Sequence, residues 1–255
     1  MRILAIAPAI ALGSRLARAP DDGPLGCANC RIQVVNGRVD LVLFDLDGTL
    51  IDSAPDLAGT ANDMRIARGL APLPYARLRS MVGAGARGMI GAAFGVDPAA
   101  EAFVALRSEF LARYRERLLR ETVVFPAVAP VLDAFDACGL RWGIVTNKQV
   151  GLAEPVVLGL GLAPRAAVLV GGDSTPHPKP HPAPLLEAAR RAEVDPARCI
   201  YVGDDLRDVQ AGRAAGMPSL AVRWGYLGEG VAVDDWGADA VLDEPSALLQ
   251  WLQLA

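Results

Sequence analysis

The chain has 255 residues, 52% hydrophobic and only 5% aromatic, enough for one large domain or for a core with an insertion. Ala and Leu supply most of the apolar content, which suits helices packed on a sheet and argues against a disordered chain. A net charge of −4 and a pI near 5.3 argue against a nucleic-acid-binding surface but leave room for small phosphate-bearing ligands.

In chain order, residues 3–12 form an apolar stretch preceded by Arg2 and followed by Ala17-Arg18-Ala19, a superficial match to a secretory signal. The single preceding charge and Pro20 fit that poorly, and the stretch is too short to span a bilayer. Residues 1–38 are therefore expected to be a flexible tail, or to reflect a start codon assigned too far upstream, with the folded protein starting near Val35 to Val39. Cys27 and Cys30 make a lone C-x-x-C with no second ligand pair to complete a zinc site. Cys138 and Cys199 stand in apolar contexts as buried thiols, and this usage favours a reducing, cytoplasmic setting.

Residues 41–44 read as a buried strand running into Asp45-Leu46-Asp47-Gly48-Thr49. A helical pattern over 55–70 carries Leu57, Ala61, Met64, Ile66 and Ala67 and is closed by Gly69 and the Pro72/Pro74 pair. Further helices are expected over 76–82, 86–94 and 98–119, the last with Phe103, Leu106, Phe110, Leu111 and Tyr114; no strand pattern interrupts them. Residues 54–121 thus predict an all-helical insertion. Beyond residue 123, helices over 128–138, 151–159, 183–192 and 208–215 alternate with strands over 141–145, 167–170, 199–202 and 219–222. That alternation predicts an α/β core with a Rossmann-like, mostly parallel sheet, built from residues 39–53 and 122–255.

Two carboxylates two residues apart at a strand end, just before a glycine turn, are costly as a pair of anions. The cost makes sense if they share a cation or split roles as acid and base. Three more polar clusters follow predicted strands: Thr146-Asn147-Lys148, Pro178-Lys179-Pro180-His181-Pro182 and Gly203-Asp204-Asp205-Leu206-Arg207-Asp208. In a parallel sheet the carboxyl ends share one edge, so Asp45, Asp47, Thr146, Lys179, Asp204 and Asp208 are expected to converge on one crevice. Each cluster alone has a plainer explanation. D-x-D is a common turn, Thr146-Asn147 and Asp204/Asp205 can cap helices, Lys179 can be solvated, and His177 and His181 read as loop residues rather than ligands. The conjunction of four clusters, in order and each at a strand end, points to an enzyme.

On these four motifs the chain resembles the haloacid dehalogenase superfamily over roughly residues 39–250, and nothing in residues 1–38 belongs to the pattern. The resemblance implies a Rossmann-like core with a helical cap over 54–121. It implies Asp45 as the nucleophile that forms an aspartyl-phosphate, and Asp47 as general acid and then base. Thr146 and Asn147 would bind the phosphoryl group, and Lys179 would neutralise charge on nucleophile and phosphate. Mg2+ would be held by Asp45, Asp204 and the backbone carbonyl of Asp47, with Asp208 in support. Haloalkanoate dehalogenases need neither the second Asp nor a metal and fit less well. A phosphomutase shares the core and is a closer alternative, while a non-catalytic binding protein would be expected to lack Asp45 or Lys179.

The segment from Arg79 through Gly83, Gly85, Arg87 and Gly88 to Met89 resembles the cap loop of phosphoglycolate phosphatases, with Arg87 or Arg79 placed to pair a substrate carboxylate. Residues 142–148, 203–208 and 222–226 also resemble N-acetylmuramate 6-phosphate phosphatases, whose lactyl carboxylate would equally want an arginine. The expectation is a Mg2+-dependent phosphatase for a small phosphorylated substrate, 2-phosphoglycolate first, with N-acetylmuramate 6-phosphate or another sugar phosphate as the alternative. Neither nucleic acid nor membrane is expected as a partner, and the state expected is a monomer or homodimer.

Overall fold

The computed structural model describes residues 33–34, 37–228 and 230–254. The signal-like stretch and the C-x-x-C pair lie outside the described residues, as does nearly all of the expected tail. Its last residues contribute β1 (Gln33–Val34) and β2 (Gly37–Arg38), a short antiparallel pair.

The organising strand is β3 (Leu41–Phe44), all four of whose residues are buried. Leu41 and Leu43 pack into one apolar cluster and Val42 and Phe44 into another, so both faces of the strand are covered. That is why it reads as an unbroken apolar run rather than an alternating one. The chain leaves through β4 (Ile51–Asp52) into α1 (Ala54–Ile66), α2 (Tyr75–Arg79), α3 (Gly85–Phe94) and α4 (Glu101–Arg115). It returns through β5 (Val123–Val124). β4 and β5 pair antiparallel, so the outgoing and returning segments form one double-stranded stalk. Strands of two residues carry no period, which is why the sequence shows no sign of them.

Then follow α5 (Ala129–Cys138), β6 (Arg141–Val145), α6 (Val150–Gly159), β7 (Leu169–Val170), α7 (Ala183–Arg191) and β8 (Cys199–Gly203). The described chain ends with α8 (Leu206–Ala214), β9 (Ser219–Val222), β10 (Ala240–Leu242) and α9 (Ala247–Trp251). Six strands make one parallel sheet in the order β10-β9-β8-β3-β6-β7. α5 and α6 pack with Phe44, Trp142 and Ile144 on one face; α7 packs with Leu41, Leu43 and Tyr201 on the other. Phe44 sits between Phe135 and Trp142, with ring centroids 6.2 and 6.4 Å away. The strand expected over 167–170 is shorter, because Ala167 and Val168 pair through single hydrogen bonds with the β6 backbone before β7 begins. The sequence does not predict β10 and α9; three residues at a sheet edge and a five-residue helix are too short to show periodicity. Among the described residues, no helix is long and apolar enough to cross a membrane.

The helices α1 to α4 share the cluster on the Val42/Phe44 face, through Leu57, Met64, Leu78, Met89 and Phe110. One buried carboxylate ties them to the returning segment. Asp56, in the first turn of α1, accepts from Glu121 N (3.0 Å), Thr122 N (2.9 Å) and Thr122 Oγ1 (2.7 Å), with Arg117 Nε at 3.3 Å. Removing that acceptor leaves two backbone N–H groups without a partner where water enters poorly. Asp56→Ala is therefore expected to destabilise the protein by about 2–4 kcal/mol, and Asp56→Asn, which keeps an acceptor oxygen, by less. Urea unfolding midpoints check this, and equal losses in the two variants would contradict it.

Candidate active site

The β3 backbone pairing continues one residue past the strand, with Asp45 N donating to Val202 O at 2.9 Å, and this fixes the Asp45 side chain at the carboxyl edge. The chain then turns, with Leu50 N and Ile51 N both donating to Leu46 O. Gly48 takes φ +88°, and a Cβ there would run into the Asp204 carboxylate; a Cβ at Gly225 would meet the same group from another side. Both positions therefore require glycine, because backbone from two loops closes on one acidic side chain.

Asp204 is only 3% exposed and accepts from Thr49 Oγ1 and Tyr226 N, each at 2.8 Å. Asp208 is equally buried: its Oδ2 accepts from Asp205 N at 3.1 Å in a reciprocal cap of α8, and its Oδ1 lies 2.8 Å from Lys179 Nζ. One oxygen each from Asp45, Asp204 and Asp208 lie within 4.8 Å of one another. Burial, and then the charges of Asp45 and Asp208, push the Asp204 carboxyl well above the usual carboxylate range. Burial likewise pushes Asp208 up to about 6, against the pull of Lys179. Converging oxygen donors carrying more negative charge than the neighbouring cation balances suit a hard divalent ion.

Lys179 supplies that one cation. Its Nζ lies 2.9 Å from Asp45 Oδ1 and 3.0 Å from Val145 O, and 2.7 Å from Tyr201 OH. Burial works against its charge, but Asp208 and Asp45 outweigh it and hold the ammonium above its ordinary range. The lysine's backbone is gripped by Asn147, whose Oδ1 accepts from Lys179 N (2.9 Å) and whose Nδ2 donates to Lys179 O (3.0 Å). The Asn147 side chain thus braces the Lys179 backbone, and the residue also lines the crevice in which it is expected to meet a phosphoryl group. Thr146 is buried beside it, and its Oγ1 accepts from Lys148 N at 3.1 Å.

Asp47 Oδ1 accepts from Ser53 Oγ at 2.5 Å and from Lys148 Nζ at 2.6 Å, and Lys148 Nζ also donates to Tyr114 OH at 2.9 Å. Burial disfavours the Lys148 charge, yet Asp47 and Tyr114 raise the group above its ordinary range. Ser53 and Tyr114 had no chemical signal in the sequence, since Tyr114 follows Phe110 at helical spacing and reads as core. Lys148, directly after Thr146-Asn147 at a strand end, did carry one. The loop after β9 adds two more unassigned residues. Tyr226 OH accepts from Ser53 N (2.8 Å) and Ala54 N (3.1 Å) and donates to Asp52 Oδ1 (3.0 Å), and Trp224 Nε1 donates to Thr49 O (3.1 Å).

Asp45, Asp47, Thr146, Lys179, Asp204 and Asp208 all line one cavity of about 280 Å³, whose other walls include Val82, Phe110, Arg107 and Arg87 from the helices. Arg87 is not in a glycine-flanked loop: Val82–Ala84 is a 3-10 turn, and Arg87 sits exposed in the first turn of α3. Arg107, which the sequence did not single out, lines the same cavity from α4. Arg79 is engaged elsewhere, donating to Gly225 O at 3.3 Å with its guanidinium 5.0 Å from the centre of the Tyr226 ring. Arg207 pairs with Asp205 at 2.7 Å and donates to Gly83 O, joining α8 to the 3-10 turn above the cavity. His177 and His181 lie against each other with rings tilted by 40°, centroids 4.7 Å apart, in the segment that carries Lys179 and outside the cavity wall.

Residues 39–216 match the family of haloacid dehalogenase-like hydrolases. The chain is 47% identical to a phosphoglycolate phosphatase of Xylella fastidiosa, covering 81% of this chain and 90% of that one. It is 43% identical to an N-acetylmuramic acid 6-phosphate phosphatase of Pseudomonas aeruginosa, covering 86% of this chain and 96% of that one. A crystal structure of a predicted phosphoglycolate phosphatase from Haemophilus somnus is similar with a TM-score of 0.74 at 27% identity, over 83% of this chain and 97% of that one. The aspartate that ends the central strand is thus set in a fold and a sequence shared with these proteins, and the chain belongs to the haloacid dehalogenase-like hydrolase family, among its phosphatases.

Proposed function

We propose that this chain is a Mg2+-dependent phosphatase that hydrolyses 2-phosphoglycolate through an aspartyl-phosphate on Asp45. What carries the proposal is the convergence of Asp45, Asp204 and Asp208 on one point with Lys179 against the nucleophile. Residues 39–53 and 122–255 act as the catalytic core and residues 54–121 as a cap that selects substrate and excludes water. In the first half-reaction an Asp45 oxygen bonds to phosphorus while the ester P–O bond breaks, and Asp47 gives its proton to the departing alcohol oxygen. In the second, water attacks phosphorus, Asp47 takes a water proton, and the bond to Asp45 breaks. Thr146 Oγ1 and the Asn147 backbone hold the phosphoryl oxygens, and Lys179 balances charge that builds up between Asp45 and phosphate. Asp45, Asp204 and the Asp47 carbonyl would hold Mg2+, with Asp208, whose oxygens already engage Lys179 and Asp205 N, in support; when bound, the ion neutralises phosphate charge.

Support for a substrate carboxylate comes from the roof of the cavity, where Arg87 and the start of α3 present a guanidinium and helix N-terminal N–H groups. The 280 Å³ volume lies at the small end of ligand clefts and favours the smaller ester. N-acetylmuramic acid 6-phosphate is the second reading, favoured by the P. aeruginosa relative, and it too offers a carboxylate. The free thiols Cys138 and Cys199 support a reducing, cytoplasmic setting.

The direct test is turnover of both esters side by side, with Asp45→Asn as control. The wild type is expected to release phosphate from 2-phosphoglycolate with the higher kcat/KM, and Asp45→Asn to lose turnover while keeping its melting temperature. Preference for the sugar ester would select the second reading, and turnover by Asp45→Asn would remove the covalent mechanism.

Metal binding has its own readout. Because burial raises the carboxyls of Asp204 and Asp208, the folded chain binds protons there more tightly than the unfolded chain. Without a divalent ion its stability therefore falls as pH rises from the ordinary carboxylate range through about 6. Saturating Mg2+ should offset that loss, raising Tm on the order of 5 °C at pH 7.5 and by less at pH 5. Asp204→Asn should remove most of the Mg2+ effect, and a pH-independent effect would contradict the assignment.

The roof arginine is tested by Arg87→Ala. Its kcat/KM for 2-phosphoglycolate should fall roughly ten- to a hundredfold, the range for one lost charge-assisted contact. The fall for p-nitrophenyl phosphate, which has no carboxylate, should be much smaller. Equal losses on both would assign Arg87 to the phosphate or to the packing of α3.

A further inference from the structure

Asp47 is clamped from two sides that both lead into the helical insertion. Ser53 Oγ reaches its Oδ1 from the outgoing segment, one residue before α1. Lys148 Nζ reaches the same oxygen from the end of β6 and is itself held by Tyr114 OH of α4, with the ammonium 5.0 Å from the centre of the tyrosine ring. Lys148 has 6% of its side chain exposed and Tyr114 is 2% exposed, so neither is a wandering surface group. With both donors on Oδ1, Asp47 Oδ2 has no hydrogen-bond partner among the described residues, and Asp47 lines the cavity. A carboxyl that delivers a proton and takes one back needs one fixed oxygen and one free oxygen facing the reacting atoms.

We infer that Lys148, held by Tyr114, is a positioning residue for the proton transfers of Asp47, so that helix α4 of the insertion takes part in the acid–base step. The inference rests on the phosphatase function proposed above. In the step concerned, the ester P–O bond breaks as the bond from Asp45 to phosphorus forms. The electron pair stays on the departing oxygen, and the proton on Asp47 Oδ2 moves to it. Asp47 is left ionised, with its Oδ1 still facing Ser53 Oγ and the Lys148 ammonium. Without Lys148 the carboxyl is fixed by Ser53 alone and is free to turn Oδ2 out of line.

Leaving groups separate this from a purely structural role. kcat/KM reports events up to departure of the alcohol, and a p-nitrophenolate departs with little help, whereas an alkoxide needs the proton. The experiment measures kcat/KM over aryl and alkyl phosphates of rising leaving-group pKa, with Mg2+, for wild type, Asp47→Asn, Lys148→Met and Tyr114→Phe. Asp47→Asn sets the slope expected when proton delivery is lost. Lys148→Met is expected to give a slope between wild type and Asp47→Asn, its deficit on an alkyl ester exceeding that on p-nitrophenyl phosphate by roughly tenfold or more. Tyr114→Phe, which keeps the ring packing, is expected to steepen the slope by less.

Slopes parallel to wild type in both Lys148→Met and Tyr114→Phe, with or without a uniform loss of rate, would overturn the inference and assign Lys148 to phosphate binding or packing. A wild-type slope in Tyr114→Phe alone would overturn the part given to α4. No turnover of any ester by the wild type, or a wild-type slope in Asp47→Asn, would overturn the underlying phosphatase mechanism as well, and either is distinct from the parallel-slope result.

Discussion

Two buried carboxylates, one half-buried carboxylate and a buried ammonium share a few ångströms at the carboxyl end of β3, and the rest of the structure serves to keep them there. Two like charges about 4 Å apart repel by roughly 4 kcal/mol at the effective dielectric of a protein's outer layers, and by more deeper in. Asp45, Asp204 and Asp208 stay together because Lys179 offsets part of that repulsion and because each acid is fixed by something other than charge. Asp45 rides on the β3 pairing, Asp204 is pinned by Thr49 and Tyr226, and Asp208 is built into the cap of α8. The negative charge that Lys179 leaves uncompensated suits a bound cation. Burial first, and then the neighbouring carboxylates, raise the carboxyls of Asp204 and Asp208 toward protonation.

The parallel topology makes this crowding possible. Neighbouring strands β8 and β6 flank β3 in register, so Asp204 just beyond β8 and Thr146 just beyond β6 arrive at the same edge, each one residue past the level of Asp45. Loops then complete the pocket from behind. Gly48 and Gly225 let two backbones approach Asp204 more closely than any side chain would permit, and Asn147 holds the Lys179 backbone at both its N–H and its carbonyl. The position of the ammonium is thus set by an amide more than thirty residues away in the chain.

What was legible in the sequence follows from this division. Asp45 and Asp204 could be found because each directly follows an apolar strand run, Asp208 because it closes the polar cluster that Asp204 opens, and Lys179 because it stands in a proline-flanked segment downstream of β7. Asp47, Thr146 and Asn147 stood out as residues at strand ends, yet the task of the Asn147 side chain did not, since bracing a distant backbone leaves no local pattern. Ser53, Tyr114 and Tyr226 were invisible as participants for a related reason. They act through hydrogen bonds to partners in other elements, and their own neighbours in the chain read as helix core or loop. The β4/β5 stalk escaped notice because two-residue strands are defined only by pairing with each other across some seventy intervening residues. Arg87 was placed in a loop because three glycines surround it, but Gly88 is buried inside the first turns of α3, where packing overrides its weak helix propensity.

The insertion has two connections to the chemistry, and they differ in kind. Arg87, Arg107 and the start of α3 line the same cavity as the acidic cluster, and the proposed function gives them the choice of substrate. The polar ties run instead to the core's own loops: Arg207 of α8 to the Gly83 carbonyl, Arg79 of α2 to the Gly225 carbonyl, and Lys148 to Tyr114. Gly225 backs Asp204, Arg207 sits between Asp205 and Asp208, and Lys148 holds Asp47, so every one of these ties ends on a residue next to the acidic cluster. A displacement of the helices would therefore disturb the surroundings of Asp204, Asp208 and Asp47 together. The insertion is thus joined to the core both by polar contacts to the loops around the acidic cluster and by the apolar cluster it shares with the sheet.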